Sequence, residues 1–254
     1  MSKSPLRYPG GKSRAIKILD RYLQKFPNRN VLLSPFFGGG SFELFAKSKG
    51  FTVFGNDLFG PLYTFWVTLQ TSKDQLIQEI KAKMPVSKED FMKFRKTICD
   101  APELDKASSY FIINRCSFSG ATMCGGFSKE ASEKRLTESS LKKLNSCDVS
   151  GIKFSNIDCC TFLDNNPETD RTLVYADPPY YITNYMYGKN GDLHEQFDHE
   201  AFAKCIQKRK DWIISYNDCE YIRELYKGCQ IISESWSYGM NTSKESSEII
   251  ILPN

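Results

Sequence analysis

Val31-Leu32-Leu33-Ser34-Pro35-Phe36-Phe37-Gly38-Gly39-Gly40-Ser41, then Phe42 to Lys49, then Phe51 to Phe54 closing on Gly55-Asn56-Asp57, is the stretch that sets the fold. A short apolar run breaks on a proline and three glycines, a helix-length segment follows, and a second apolar run ends on an acid. Strand, glycine loop, helix, strand and acid make one βαβ unit. Small residues let the loop backbone approach a ligand closely. Asp57, at the end of the second strand, falls where a carboxylate accepts ribose hydroxyls.

Outward from this unit, strand character returns at 152–157, 172–176, 212–216, 229–234 and 247–252, with helical segments near 199–210 and 218–226. Alternating strands and helices predict an open, mostly parallel sheet wound on both faces. Between the two halves, 61 to about 114 reads as helix, with Leu69, Leu76, Ile77, Ile80 and Met84 spaced by three and four. From Cys116 to Lys134 periodicity disappears into Ser, Gly, Thr and Cys, and a loop of that length is usually functional. Residues 61–150 therefore read as an insertion between 1–60 and 151–254.

At 254 residues, 41% hydrophobic and 25% charged, the chain has the composition of a globular protein and neither a disordered nor a disulfide-dependent one. No run approaches a membrane span and no apolar signal core opens the sequence, so the expectation is a soluble, intracellular protein without a membrane partner. Nine cysteines without a C-x-x-C pair read as reduced thiols, and no metal is expected. The net charge of +4 is uneven: residues 1–29 carry eight cations against Asp20 alone, +7, leaving −3 for the remainder. Such asymmetry suits a polyanion. Arg14 to Phe26 reads as an amphipathic helix with Arg14, Lys17, Arg21 and Lys25 on one side, a solvated face or a phosphate-tracking stripe.

Gly10-Gly11-Lys12-Ser13 lacks the leading glycine of a P-loop, because Leu6 stands there. Lys12 remains a candidate for gripping a carboxylate or phosphate. In the Phe36 to Gly40 loop the third glycine of a dinucleotide fingerprint is replaced by Glu43, so the unit indicates a ribonucleoside ligand without separating NAD from S-adenosylmethionine. His194 and His199 are spaced one residue too far for H-E-x-x-H, and no G-x-S-x-G elbow supports hydrolysis.

Asp177-Pro178-Pro179-Tyr180 directly follows the apolar run Leu173 to Ala176, at a carboxyl end of the sheet. The two prolines donate no N–H and leave carbonyls as acceptors. A carboxylate beside a carbonyl cradles an NH₂ group, and Tyr180 offers a flat face for a base.

With these motifs the sequence resembles the Dam-like, D12-class DNA adenine-N6 methyltransferases from Tyr8 onward. The match rests on Arg7-Tyr8-Pro9-Gly10-Gly11-Lys12-Ser13, Ser34 to Ser41, Asn56-Asp57, Asn114-Arg115 with Phe118-Ser119-Gly120, and the 177–180 tetrapeptide, in the family's order. The resemblance implies the methyltransferase fold, with 1–60 and 151–254 catalytic and 61–150 a mainly helical DNA target-recognition insertion. It implies S-adenosylmethionine as methyl donor, no metal, and transfer to N6 of a flipped-out adenine in a short sequence of double-stranded DNA. A cognate restriction endonuclease is a candidate partner. By the same resemblance Asp177, Pro178 and Tyr180 are catalytic, and Tyr8, Lys12, Pro35, Phe37, Gly38, Gly40, Asp57, Asp158 and Asp177 contact the donor. Asn114, Arg115, Phe118 and Ser119 form the DNA-contacting turn, joined by Arg14 and Lys17 of the basic face. Residues 121–134 depart from the enterobacterial GATC enzymes, so that target sequence does not carry over.

Overall fold

Parallel pairing of β1 (Val31–Ser34) with β2 (Thr52–Asn56), Val31 opposite Thr52, realises the βαβ unit, with α2 (Ser41–Ser48) as its crossover. The computed structural model describes residues 3–8, 10–181, 197–237 and 245–254, so Pro9, His194 and Glu195 lie outside the described residues. On the far side of β2 lies β3 (Lys153–Ser155), while β4 (Thr172–Ala176) pairs in parallel with β1. Beyond β4 comes β5 (Trp212–Asn217), and then β7 (Glu245–Leu252) runs antiparallel between β5 and β6 (Gln230–Ser237). The order β3-β2-β1-β4-β5-β7-β6 makes a mixed seven-stranded sheet whose winding reverses between β1 and β4. Clefts open at such reversals, outside the carboxyl ends of the strands. Here those ends carry Ser34 and Asp177.

Side-chain alternation assigns the two faces. Leu32, Leu173, Tyr175 and Ile213 enter one apolar cluster, and Leu33, Val174, Ala176 and Ile214 enter the other. Because helices cover both faces, β4 is buried along its whole length and reads as an unbroken apolar run. The second face is covered by α9 (Cys159–Asn165), α10 (His199–Ile206) and α11 (Glu220–Leu225), which contribute Phe162, Phe202 and Ile222. The first face receives α1 (Ile16–Leu23), α2, α3 (Gly60–Thr71), α4 (Lys73–Ala82), α5 (Lys88–Thr97), α6 (Glu103–Cys116) and α8 (Glu138–Ser146), with α7 (Lys129–Arg135) packed on α6. These helices share one core with the sheet: Trp66 of α3 and Phe154 of β3 pack edge-on against Phe37 at 5.2 and 5.1 Å. Among the described residues no helix is long and apolar enough to cross a membrane.

The structure shortens several expected elements. The basic helix begins at Ile16, after a 3₁₀ turn at Lys12–Arg14, and ends at Leu23; β3 keeps three residues. The aperiodic 116–134 segment is ordered by short turns, a Ser117–Phe127 bridge, and then α7. That helix escapes periodicity because only Ala131 is buried in it, while the Ser128 side chain caps its start.

Gly55 supplies a test of the packing beneath the loop. A Cβ there would stand 2.3 Å from the Phe37 ring, which Trp66 and Phe154 hold from two sides. Gly55→Ala is expected to lower the unfolding free energy by about 1 to 3 kcal/mol in a urea titration.

Candidate active site

A solvent-open cleft of about 1070 Å³ lies over the β1/β4 reversal, with Tyr8, Lys12, Gly38, Asp57, Phe59 and Asp177 among its walls. Its walls come from stretches distant in sequence, Tyr8 with Lys12, 36–43, 57–59 and 175–179 among them, together with Tyr110, Met123 and Phe197. Lys12, 4% exposed, comes from the turn before α1. Its Nζ donates to the Gly10 carbonyl at 2.9 Å, to Asp177 at 2.7 Å and to the Tyr180 hydroxyl at 2.9 Å. All three ammonium donors are thereby engaged, so gripping a ligand carboxylate requires one of these bonds to open.

Asp177, just past β4, is fixed from a second side by the Ser215 hydroxyl of β5 at 2.9 Å, and Ser215 in turn meets the Tyr175 hydroxyl at 3.3 Å. Tyr180 donates to Glu248 of β7 at 2.5 Å. The tetrapeptide is therefore tied to the N-terminal segment, to β5 and to β7. Pro178 is buried, while Pro179 lines the cleft.

At the other end, Asp57 accepts the backbone N–H groups of Gly38 at 2.8 Å and Phe59 at 3.0 Å. Burial pushes its carboxyl up to about 6, against those two bonds. The glycine loop folds around aromatic rings: a Cβ on Gly39 would lie 2.7 Å from Tyr8 Cβ, and Gly40 takes φ +65° with Phe37 beside it. Phe37, Gly38 and Gly40 line the cleft; Pro35 lies buried behind it, its carbonyl accepting the Asn56 side chain. Asp158 is elsewhere, capping α9 through the N–H groups of Cys160 and Thr161. With Cys159 and Cys160 it brings three ligand-type atoms within 4.8 Å, and burial pushes the two thiols up to about 12 and 11.

The DNA-contacting candidates separate by role. Asn114 is fully buried and clasps the Arg7 backbone, accepting its N–H at 2.9 Å and donating to its carbonyl at 2.6 Å. Arg115 is 8% exposed, lies over Phe111 at 5.7 Å and leaves Nε without a hydrogen-bond partner. Burial first, then Arg7 and Arg135, lower its guanidinium to about 10. Phe118 is 69% exposed beside Ser119, which takes φ 55°. On α1 and the turn before it, Lys17 and Arg14 are exposed, but Arg21 pairs with Glu234 of β6 at 3.1 Å, which removes one cation from the stripe.

A family model describing the D12 class of N6 adenine-specific DNA methyltransferases matches residues 8–240. The chain belongs to that family. It is accordingly a DNA adenine methyltransferase, and the resemblance read from its motifs holds over nearly the whole length. A comparison with curated proteins finds no match.

Sequence reading missed Ser215, a polar residue within the apolar strand β5, and Glu248, the last of four polar residues that open β7, and saw Glu43 only as a lost glycine. Glu43 lies in the first turn of α2, 3% exposed, and accepts the Ser34 hydroxyl at 2.8 Å. Burial pushes its carboxyl up to about 8. The folded protein thus holds this proton more tightly than the unfolded chain. The associated stability is complete below the unfolded value of 4.5 and is lost as pH rises toward 8. Between pH 5 and 8, the unfolding free energy of Glu43→Gln should gain on the order of 3 kcal/mol relative to the parent, as read by urea denaturation.

Proposed function

We propose that the enzyme transfers the methyl group of S-adenosylmethionine to N6 of an adenine flipped out of a specific short sequence of double-stranded DNA. The observation that carries this reading is that Asp177, clamped by Lys12 and Ser215, borders the same cleft as the glycine loop and Asp57. A sugar-binding acid and an amine-binding acid thus face one space. The residues present fit the donor: Asp57 offers acceptors for ribose hydroxyls, Phe59 and Tyr8 offer apolar faces, and the loop backbone is open where Gly38 takes φ +50°. The donor supplies an electrophilic methyl group on a sulfonium.

What the protein adds is orientation. An exocyclic amine is a weak nucleophile because its lone pair is delocalised into the ring. A carboxylate held in an ion pair presents acceptors and no donor, so Asp177 takes hydrogen bonds from the NH₂ group. Pro178 adds a carbonyl and no competing N–H. Together they draw the nitrogen toward tetrahedral geometry and localise its lone pair. Holding the reactants in line and excluding water supplies on the order of 7 to 11 kcal/mol in such reactions. No step calls for a metal.

Flipping costs a few kcal/mol, and stacking on the Tyr180 ring returns about 1 to 3 kcal/mol. Phe118, 69% exposed, fills the vacated stack, a role that the buried Met123 of the same segment is not free to take. The like-charged Arg7, Arg115 and Arg135 support a phosphate nearby, since an anion relieves their mutual repulsion. In this reading residues 61–150 are the target-recognition insertion, and the Asn114–Arg7 clasp couples it to the segment that carries Lys12.

Two measurements test the reading. Asp177→Asn places an NH₂ against the substrate NH₂, so single-turnover transfer with saturating donor should fall by at least about 10²- to 10³-fold while DNA affinity changes little. More than a tenth of the parent rate would defeat the mechanism. Separately, Asp57→Asn should weaken binding of an adenosyl ligand by about 1 to 3 kcal/mol, and the parent should lose that affinity as pH drops below about 6, where Asp57 takes up its proton. Equal calorimetric titrations of parent and variant would take Asp57 out of the site.

A further inference from the structure

Glu43 is the acid in the cleft for which the proposed chemistry leaves no task. It lines the same space as Lys12, Asp57 and Asp177. The groups facing it are the Ser34 hydroxyl on β1, Tyr175 and Asp177 at the end of β4, and Lys12 from the N-terminal segment. Lys12 is the cation among them, and its three donors go to Gly10, Asp177 and Tyr180. Glu43 is therefore a buried carboxyl at the edge of a cavity, hydrogen-bonded by a neutral hydroxyl and bonded to no cation of the described protein.

We propose that Glu43 accepts the α-ammonium group at the methionine end of the donor. The inference rests on the reading of the cleft as the S-adenosylmethionine pocket and deepens it. Because Lys12 and Asp177 already neutralise one another, an ionised Glu43 leaves this wall with one unbalanced negative charge. An ammonium group of the ligand balances it. A protonated carboxyl offers such a group only a weak acceptor, so binding exchanges partners: the Glu43 proton leaves to solvent and the carboxylate takes the ammonium in its place. The Ser34 hydroxyl continues to donate to Oε1 throughout. With the carboxyl held at about 8 in the free protein, the exchange is visible near neutral pH. A site that uses Glu43 in this way selects ligands that carry an amino-acid end.

Calorimetry with two ligands on the intact chain tests this. S-adenosylhomocysteine keeps the ammonium and lacks the reactive methyl, whereas methylthioadenosine keeps the ribose and lacks the amino-acid end. At pH 7, in two buffers of different ionisation heat, S-adenosylhomocysteine should release about 0.9 proton and methylthioadenosine almost none. From pH 6 to pH 7 the affinity for S-adenosylhomocysteine should strengthen about nine-fold more than that for methylthioadenosine, which reports any share from Asp57. Glu43→Gln should abolish the release, weaken S-adenosylhomocysteine by about ten- to a hundred-fold, and leave methylthioadenosine binding unchanged, which also shows that the variant is folded. Equal proton release with both ligands, release that survives in Glu43→Gln, or equal weakening of both ligands would overturn the assignment. If methylthioadenosine binds in an Asp57-dependent way while the ammonium linkage is missing, Glu43 alone fails. If neither ligand binds the parent, the donor-pocket reading fails and this inference with it.

Discussion

Lys12 and Asp177 stand 165 residues apart in sequence and 2.7 Å apart in space. Lys12 is almost wholly withdrawn from solvent and Asp177 partly so, and the buried ammonium depends on the carboxylate for its compensating charge. The pair does more than hold two side chains. It ties the segment around Tyr8, which lies over the glycine loop, to the end of β4, and so puts Asp177 in the same cleft as that loop. The apolar core sets where the strands run, but this one contact fixes the N-terminal segment against the end of β4.

Around the pair, polar groups are linked in series from several elements. Tyr180 passes from Lys12 to Glu248, and Ser215 passes from Asp177 to Tyr175. Chains of this kind in a partly buried, low-dielectric setting stiffen their members, because each bond polarises the next. Catalysis by orientation requires that stiffness, since a methyl transfer with no covalent enzyme intermediate has little else to draw on.

The parts of the fold and site that could be read in the sequence are those with local signatures. β1, the glycine loop, α2 and β2 form a contiguous pattern, and the 177–180 tetrapeptide declares itself by proline chemistry and by the apolar run before it. Asp57 and Asp177 both reach the cleft, as their positions at strand ends required. Residues whose meaning depends on distant neighbours were not legible. Charge alone places Arg115 at the surface, yet it is 8% exposed with its guanidinium over the Phe111 ring. The contact of Asn114 with the Arg7 backbone, 107 residues away, carries no local signature. Asp158 sits before a helix and caps it. Glu43 replaces a glycine in one motif, and only the tertiary fold shows that it points into the cleft beside Ser34.

The placement of β7 has a consequence for the order in which the molecule becomes an enzyme. It is the last strand in sequence and sits between β5 and β6, so β6 has no partner in the sheet until β7 has been made and threaded beside β5. Glu248, which receives the Tyr180 hydroxyl, arrives on the same strand. The glycine loop and Asp57 belong to the first sixty residues and depend on none of this. During synthesis, the donor half has its own strand pairing long before the tetrapeptide finds its final anchor. Long-range pairings of this kind close late because the loop entropy must be met first. The strand order thus lets the glycine loop and its βαβ unit form early in synthesis, while the anchoring of Tyr180 by Glu248 waits for β7.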